Sequence, residues 1–257
     1  MIIIQKLLNS SLVMKKTLVS ENININIVSE EGNKGIFELT GLYKGYGLTL
    51  GTAIRRVLLS SLAGVAITQV KITGVGHEFT TIDGVLEDIV EISLNLKKVR
   101  FRSDDPQAGY EEPVILTLKK KGEGAVTAGD IKGTSLLEVT NKDLHLATIT
   151  QKGVELEMEL TIEKGLGYVS KEDLKAERLP VGTIQLDALF SPVKNVNFNV
   201  ENMRVGDQTD FNKLNISIET DGGLTPKEAL AKGINILEEQ FQKIGNQLSE
   251  KVTEEKE

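Results

Sequence analysis

Cysteine is absent from this 257-residue sequence, and histidine is limited to His77 and His145. Without cysteine there is neither a disulfide framework nor a thiolate metal site, a composition that fits a reducing cytosol. Two histidines so far apart in the chain argue against a zinc or di-metal centre. A basic excess is lacking too: 30 lysines and arginines face 37 aspartates and glutamates, for a formal net charge of −7. A domain that grips nucleic acid by itself usually carries a basic face, so direct DNA binding by this chain is not expected. No apolar run reaches the length of a membrane span. The N-terminal MIIIQKLLNSSLV is short, is broken by Gln5 and Lys6, and has no basic segment ahead of it, unlike a targeting signal. It reads as a loosely ordered extension, with Met14, followed by Lys15 and Lys16, as an alternative start. The chain is read as soluble and cytoplasmic, with no membrane contact.

What is present is ordinary globular material, 40% hydrophobic and 26% charged, in a chain long enough for one large domain or two modest ones. Alternation marks the strands. Ile23, Ile25 and Ile27 alternate with asparagines, and EEGNKG then turns the chain into Ile36-Phe37-Glu38-Leu39. Near the other end, Val196, Phe198 and Val200 alternate with asparagines, and Leu214, Ile216 and Ile218 with polar residues, across the polar GDQTDFNK. Each pair reads as an antiparallel hairpin with one apolar face, too small to stand alone. Each is followed by a helix: GLTLGTAIRRVLLSSLAG after the first, LTPKEALAKGINILEEQFQKIGNQL after the second. Thr225, Pro226 and Glu228 give the second helix an N-cap, a first-turn proline and a capping box.

The economical arrangement is α+β: two hairpins in one four-stranded sheet covered by two helices. This discontinuous domain takes residues 17–63 and 192–248. An inserted, mostly β domain takes 64–191, the extension 1–16 and a charged tail 249–257. The insert carries strand signals at 66–72, 114–120 and 154–164; in the last, Val154, Leu156, Met158, Leu160 and Ile162 oppose Glu155, Glu157, Glu159, Thr161 and Glu163. One insert helix is expected at 84–97, with Asp83 as N-cap.

Two apolar features exceed what a single core requires. On the first helix, Leu50, Ala53, Ile54, Val57, Leu58 and Leu62 form a stripe, while Leu59 falls on the opposite side near Arg55 and Arg56. On the last helix, Leu230, Ile234, Leu237, Phe241, Ile244 and Leu248 follow the 4-3 rhythm of a helix packed lengthwise on another. Its first half can pack on this chain's own sheet, but the seam runs further than a short sheet reaches. A second copy of the chain is the simplest partner, so a homodimer is expected.

Catalytic signals do not survive inspection. GYGLTLG precedes a helix as a dinucleotide-binding turn would, but its third glycine position is Leu50 and no βαβ unit surrounds it. GLGYV is followed by no Gly-Lys-Ser/Thr. Both read as tight turns. The row Glu155, Glu157, Glu159 reads as a solvated strand face, and Glu87 and Asp88 as acids at a helix start. From the residues alone the chain is a dimerising scaffold that contacts other subunits, without catalytic residues, metal or cofactor of its own. A free-standing homodimeric phosphate-ligand enzyme and a DNA-binding regulator are the alternatives.

The stretch GYGLTLGTAIRRVLLSSLAG, with VKITGVGHEFTTIDGVLEDIVEISLNLK, GLGYV and LPVGTIQLDALFSPVKNVNFNVENMRVGDQTDFNKLNISIETDGGLTPKEAL, resembles the bacterial DNA-directed RNA polymerase alpha subunit over roughly residues 17–245. The resemblance implies a homodimer formed through the first and last helices, on which the beta and beta-prime subunits assemble. The nucleotidyltransferase chemistry would lie in those partners, and sigma factor would be met only through the holoenzyme. It further implies large-subunit contacts at Arg56 and Leu59 on the first helix, and toward beta-prime at Glu91, Lys97 and Leu186. Two departures stand out. Leu166 occupies a position where the family commonly has arginine. The sequence given also stops at Glu257, where the family normally continues into a small DNA-binding C-terminal domain, so that function is not expected of it.

Overall fold

The computed structural model describes residues 23–103, 113–134, 136–174, 180, 182–205 and 208–254. The expected extension 1–16 and the last residues of the expected tail lie outside them. The chain folds as two compact units, one of Met1–Leu58, Asn195–Glu219 and Leu230–Glu257, the other of Leu59–Lys194 and Thr220–Ala229.

In the first unit the two expected hairpins form one sheet. Strands β1 (Asn24–Glu31), β2 (Lys34–Leu42), β14 (Val193–Val205) and β15 (Gln208–Thr220) lie in the order β1-β2-β15-β14. Alternation sorts their side chains into two faces. On one face Ile25 opposes Leu39 and Leu39 opposes Leu214, while Ile27, Phe37 and Ile216 make the next row. On the other face the corresponding row is polar, Asn26, Glu38 and Asn215, with Lys213 reaching Glu38 at 3.3 Å and Glu201 at 3.0 Å.

Helix α1 (Tyr46–Ser60) packs on the apolar face. The turn into it needs Gly45, whose φ of +88° only glycine adopts readily; its N–H donates to Asn212 Oδ1 at 2.8 Å. The next two glycines act differently from the tight turn expected of them. A Cβ at Gly47 would lie 2.6 Å from Val200 Cγ1, and one at Gly51 2.6 Å from the Phe198 ring. Both glycines let the helix press onto β14 and β15, while Ile54 and Leu58 complete its buried side. Helix α3 (Pro226–Glu254) starts at the expected capping box: Thr225 N–H donates to Glu228 Oε2 at 2.9 Å and Glu228 N–H to Thr225 Oγ1 at 3.2 Å. Further along, Gly233 lets α3 close on α1, since a Cβ there would stand 2.9 Å from Leu58 Cδ2.

The second unit is mostly β. Its main sheet has the order β12-β3-β10-β5-β7, from Thr183–Gln185, Ala63–Ile72, Glu155–Leu166, Val114–Lys121 and Ile131–Lys132. Two-stranded ribbons join β4 (Phe101–Ser103) to β8 (Leu137–Val139), β6 (Gly124–Thr127) to β9 (His145–Ile149), and β11 (Tyr168–Val169) to β13 (Ala188–Leu189). Central β10 buries Leu156, Met158, Leu160 and Ile162 in the core. Its opposite face is solvated and crossed by ion pairs, Lys119 to Glu155 at 2.8 Å and Glu157 at 3.4 Å, and Lys71 to Glu159 at 3.9 Å.

Helix α2 is shorter than the expected 84–97. It runs Ile89–Leu96, with Asp88 rather than Asp83 as N-cap, its side chain accepting from Glu91 N–H. The missing turn is claimed by β9: Val85 bridges Ile149, Leu86 N–H donates to Thr148 O at 2.9 Å, and Thr150 N–H to Gly84 O at 2.8 Å. Gly84, at φ +79°, sits outside helical space. Glu87 faces β9, accepting from Thr148 N–H at 2.6 Å and lying 2.7 Å from His145 Nε2.

Because Phe198 and Leu214 fill the space beside Gly51, Gly51→Val should destabilise the chain by about 1–3 kcal/mol through overpacking. A lowered urea midpoint with an unchanged slope would register it.

Candidate subunit interface

Burial of Ile54 and Leu58 fixes which side of α1 faces outward. Leu48, Thr52, Arg55, Arg56 and Leu59 are all exposed. Leu59, 38% exposed, is three residues from Arg56, so the two are neighbours on the helix surface. Leu48, Thr52, Arg55 and Leu59 follow one another at spacings of four, three and four. Leu48 thus adds a second outward apolar side chain, readable in the sequence from that periodicity but not singled out there.

In the second unit the family-implied residues gather around α2. Ile89, Ile92 and Leu96 lie in the core, which leaves Val90, Glu91 and Leu94 exposed. Val90 and Leu94 are one turn apart, and Leu86, in the segment before the helix, is exposed as well. The spacing of Val90 and Leu94 beside Glu91 is readable in the sequence but not singled out there. At the C-terminal end of α2, Lys97 Nζ donates to Asp187 Oδ2 at 2.6 Å, and Lys171 N–H donates to Asp187 Oδ1 at 2.9 Å. Arg100 secures the same end, donating to Lys97 O at 2.9 Å and pairing with Asp221 at 3.2 Å. Burial pushes the Asp221 carboxyl above its ordinary value, despite the opposing pull of Gly223 N–H and Arg100.

Leu186 is placed differently from its neighbours. It is 2% exposed, belongs to the core, and donates its N–H to Thr68 O at 2.8 Å. That corrects the expectation that its side chain offers a contact surface. The exposed apolar residue nearby is Leu189, paired with Tyr168 across β11 and β13.

Along α3, Leu230 is buried while Ile234, Phe241, Ile244 and Leu248 are exposed and Leu237 is half-buried. The 4-3 seam therefore leaves this chain's own packing beyond Leu237. Within the two glycine-rich turns, Gly45 and Gly167 face open space, and the other three glycines are crowded. Space beside Gly47 and Gly51 is filled by the sheet, and a Cβ at Gly165 would meet the Phe190 ring at 2.6 Å. Gly167 O accepts from Phe190 N–H at 2.8 Å. Among the described residues no group of three or more His, Asp or Glu is placed to hold a metal, and no helix is long and apolar enough to cross a membrane.

The Lys97 bond and the Lys171 N–H hold the Asp187 carboxyl below the ordinary aspartate range. A lowered folded-state pKa stabilises the fold above the unfolded value, about 4, and that contribution is lost as pH falls through the folded value. Asp187→Asn should therefore lower Tm near neutral pH, with the gap to the parent chain closing as pH drops below about 4. A pH series of thermal melts checks this.

Comparison with known proteins places these surfaces in a family. Residues 70–191 match the family model described as the RNA polymerase Rpb3/RpoA insert domain. The chain is 46% identical over 221 residues to the DNA-directed RNA polymerase subunit alpha of Limosilactobacillus reuteri, covering 85% of this chain and 68% of that one. The subunit of the same name from Roseiflexus castenholzii is 47% identical over 222 residues, covering 86% and 67%. That of Chlorobium phaeobacteroides is 44% identical over 227 residues, covering 88% and 67%. With such identity, running through both units and about two thirds of each relative, the chain belongs to the DNA-directed RNA polymerase alpha subunit family.

Proposed function

We propose that this chain is the assembly subunit of DNA-directed RNA polymerase: a homodimeric platform for the beta and beta-prime subunits, in an enzyme that makes RNA from ribonucleoside triphosphates. The observation that carries the reading is the exposed half of the α3 seam. Ile234, Phe241, Ile244 and Leu248 repeat at helix-pairing spacing on a surface this chain leaves bare. Apolar side chains in such a row favour burial against a matching helix, and a two-fold pair supplies one with no further component.

Arg56 and Leu59 on α1 are the large-subunit contacts in this reading, with Glu91 and Lys97 as contacts toward beta-prime. Leu186, buried in the core, drops out of this set. Nucleotidyl transfer and its cofactors belong to the large subunits, sigma factor is met through the holoenzyme, and the platform works in the cytoplasm without gripping DNA itself. Neither alternative gains support. Of the glycines that would have cradled a phosphate, Gly47 and Gly51 are packed against Val200 and Phe198 and Gly165 against Phe190, and no basic excess favours a DNA-binding regulator.

Leu59→Asp should leave the dimer intact by sedimentation but weaken capture of the beta subunit by roughly 10-fold or more, the loss of an interface anchor worth at least about 1.4 kcal/mol. Phe241→Asp should instead dissociate the dimer while the monomer keeps its circular dichroism. Nucleotide turnover by the isolated dimer, or loss of dimerisation in Leu59→Asp, would contradict the assignment.

A further inference from the structure

Helix α2 begins where a side chain takes over from a backbone ladder. Three contacts lay the preceding segment on β9 as a short antiparallel strand: Thr150 N–H to Gly84 O, the Val85–Ile149 bridge, and Leu86 N–H to Thr148 O. In a regular ladder Leu86 and Thr148 would exchange a second bond, from Thr148 N–H to Leu86 O. That donor goes instead to the Glu87 carboxylate, whose Oε2 accepts it at 2.6 Å. Oε1 lies 2.7 Å from His145 Nε2 and accepts from Thr148 Oγ1 at 3.1 Å. These partners belong to β9, and the Glu87 side chain is only 12% exposed. Burial by itself would raise the Glu87 carboxyl, but His145 and Thr148 together hold it below the ordinary glutamate range. The next residue, Asp88, caps α2 by accepting from Glu91 N–H at 2.7 Å.

We propose that Glu87 is the positioning residue of the α2 surface: by taking the Thr148 donor it ends the pairing with β9 at Leu86, starts the helix at Ile89, and so presents Val90, Glu91 and Leu94 outward. The inference rests on the reading in which Glu91 and Lys97 meet beta-prime, and adds how the chain presents that face. A competing arrangement exists for the same residues. GVLEDIVEISLNLK has helical periodicity from its start, and residues 85–88 would prolong α2 by about one turn if β9 released them. Glu87 decides between the two. Its loss leaves the half-buried Thr148 N–H without an acceptor and removes the only side-chain bonds from this segment to His145 and Thr148 among the described residues. The other end of α2 is tied separately, by Lys97 and Arg100, so Glu87 governs the near end alone.

Single variants of the full chain test this. Glu87→Ala should speed amide hydrogen exchange about tenfold across residues 84–88 and 145–150, because both sides of the pairing lose their tie. Glu87→Gln, which keeps an oxygen for Thr148 N–H, should exchange like the unmodified chain. Ile162→Val, a core truncation on β10 outside this pairing, should lower Tm without opening either segment. Capture of beta-prime by the dimer loaded with beta, measured below every Tm, should weaken about tenfold in Glu87→Ala. It should recover in Glu87→Gln and stay unchanged in Ile162→Val. Should Glu87→Ala fail to fold, Glu87→Asp, one methylene short of β9, carries the same expectations. Leu94→Asp probes the contact face directly and should weaken capture without altering exchange. Unchanged exchange in Glu87→Ala, unchanged capture beside a weakened Leu94→Asp, or no recovery in Glu87→Gln would overturn the inference. So would an equal loss of capture in Ile162→Val, the sign of a general loss of stability. Full capture by Leu94→Asp and Glu87→Ala alike would remove the parent reading of this face, and exchange alone would then decide the role of Glu87.

Discussion

The close approach of α1 to its sheet governs much of what the first unit offers its surroundings. Two glycines spaced four apart place the helix backbone against Val200 and Phe198, where any larger side chain would push it away. Once seated, the helix cannot rotate without losing the fit of Ile54 and Leu58. The outward side is fixed by the same contact, and Arg56 and Leu59 are on it because the glycines are not. The apparent anomaly of a leucine among arginines is a consequence of packing on the other side of the helix. Gly233 does the same for α3, bringing it down onto Leu58.

In the second unit the governing contact is ionic. Lys97 and Asp187 meet at 2.6 Å between the end of α2 and the segment after β12, while Arg100 ties the same helix end to Asp221. The Lys97–Asp187 pair is only partly buried, so it orients the surface more than it stabilises the fold. Arg100 and Asp221 are more deeply placed, with side chains 14% and 9% exposed. Removal of one partner alone would leave a charge with little access to water, a strongly unfavourable state. Lys97 is therefore already engaged within its own unit, and a partner at this place would meet a fixed ion pair.

Much of this is legible in the residues. Strict alternation in β10 and in both hairpins locates the strands, and the Thr225–Glu228 capping box marks the start of α3. The discontinuous sheet follows from the need of each hairpin for a cover. The seam of α3 and the outward Leu59 are visible as periodicity that the core stripe leaves over. Other features depend on contacts between distant segments. Nothing local to residues 83–88 announces that β9 will take their backbone hydrogen bonds, so periodicity alone makes α2 too long. Nothing local to Leu186 says that the core will close over it, and the resemblance alone puts it at the surface. Glycines at 47 and 51 read as turns because their packing partners lie some 150 residues away.

The discontinuity of the first unit bears on how the protein is made. Strand β2 finds its second neighbour in β15, Phe37 opposite Ile216, about 180 residues later. A chain emerging from the ribosome must present its first hairpin and α1 long before the strands that bury them exist. The second unit, drawn largely from one continuous stretch, can close in the meantime and shorten the effective loop between the two halves of the sheet. In the first unit, by contrast, the sheet can close only once the last third of the sequence has been made.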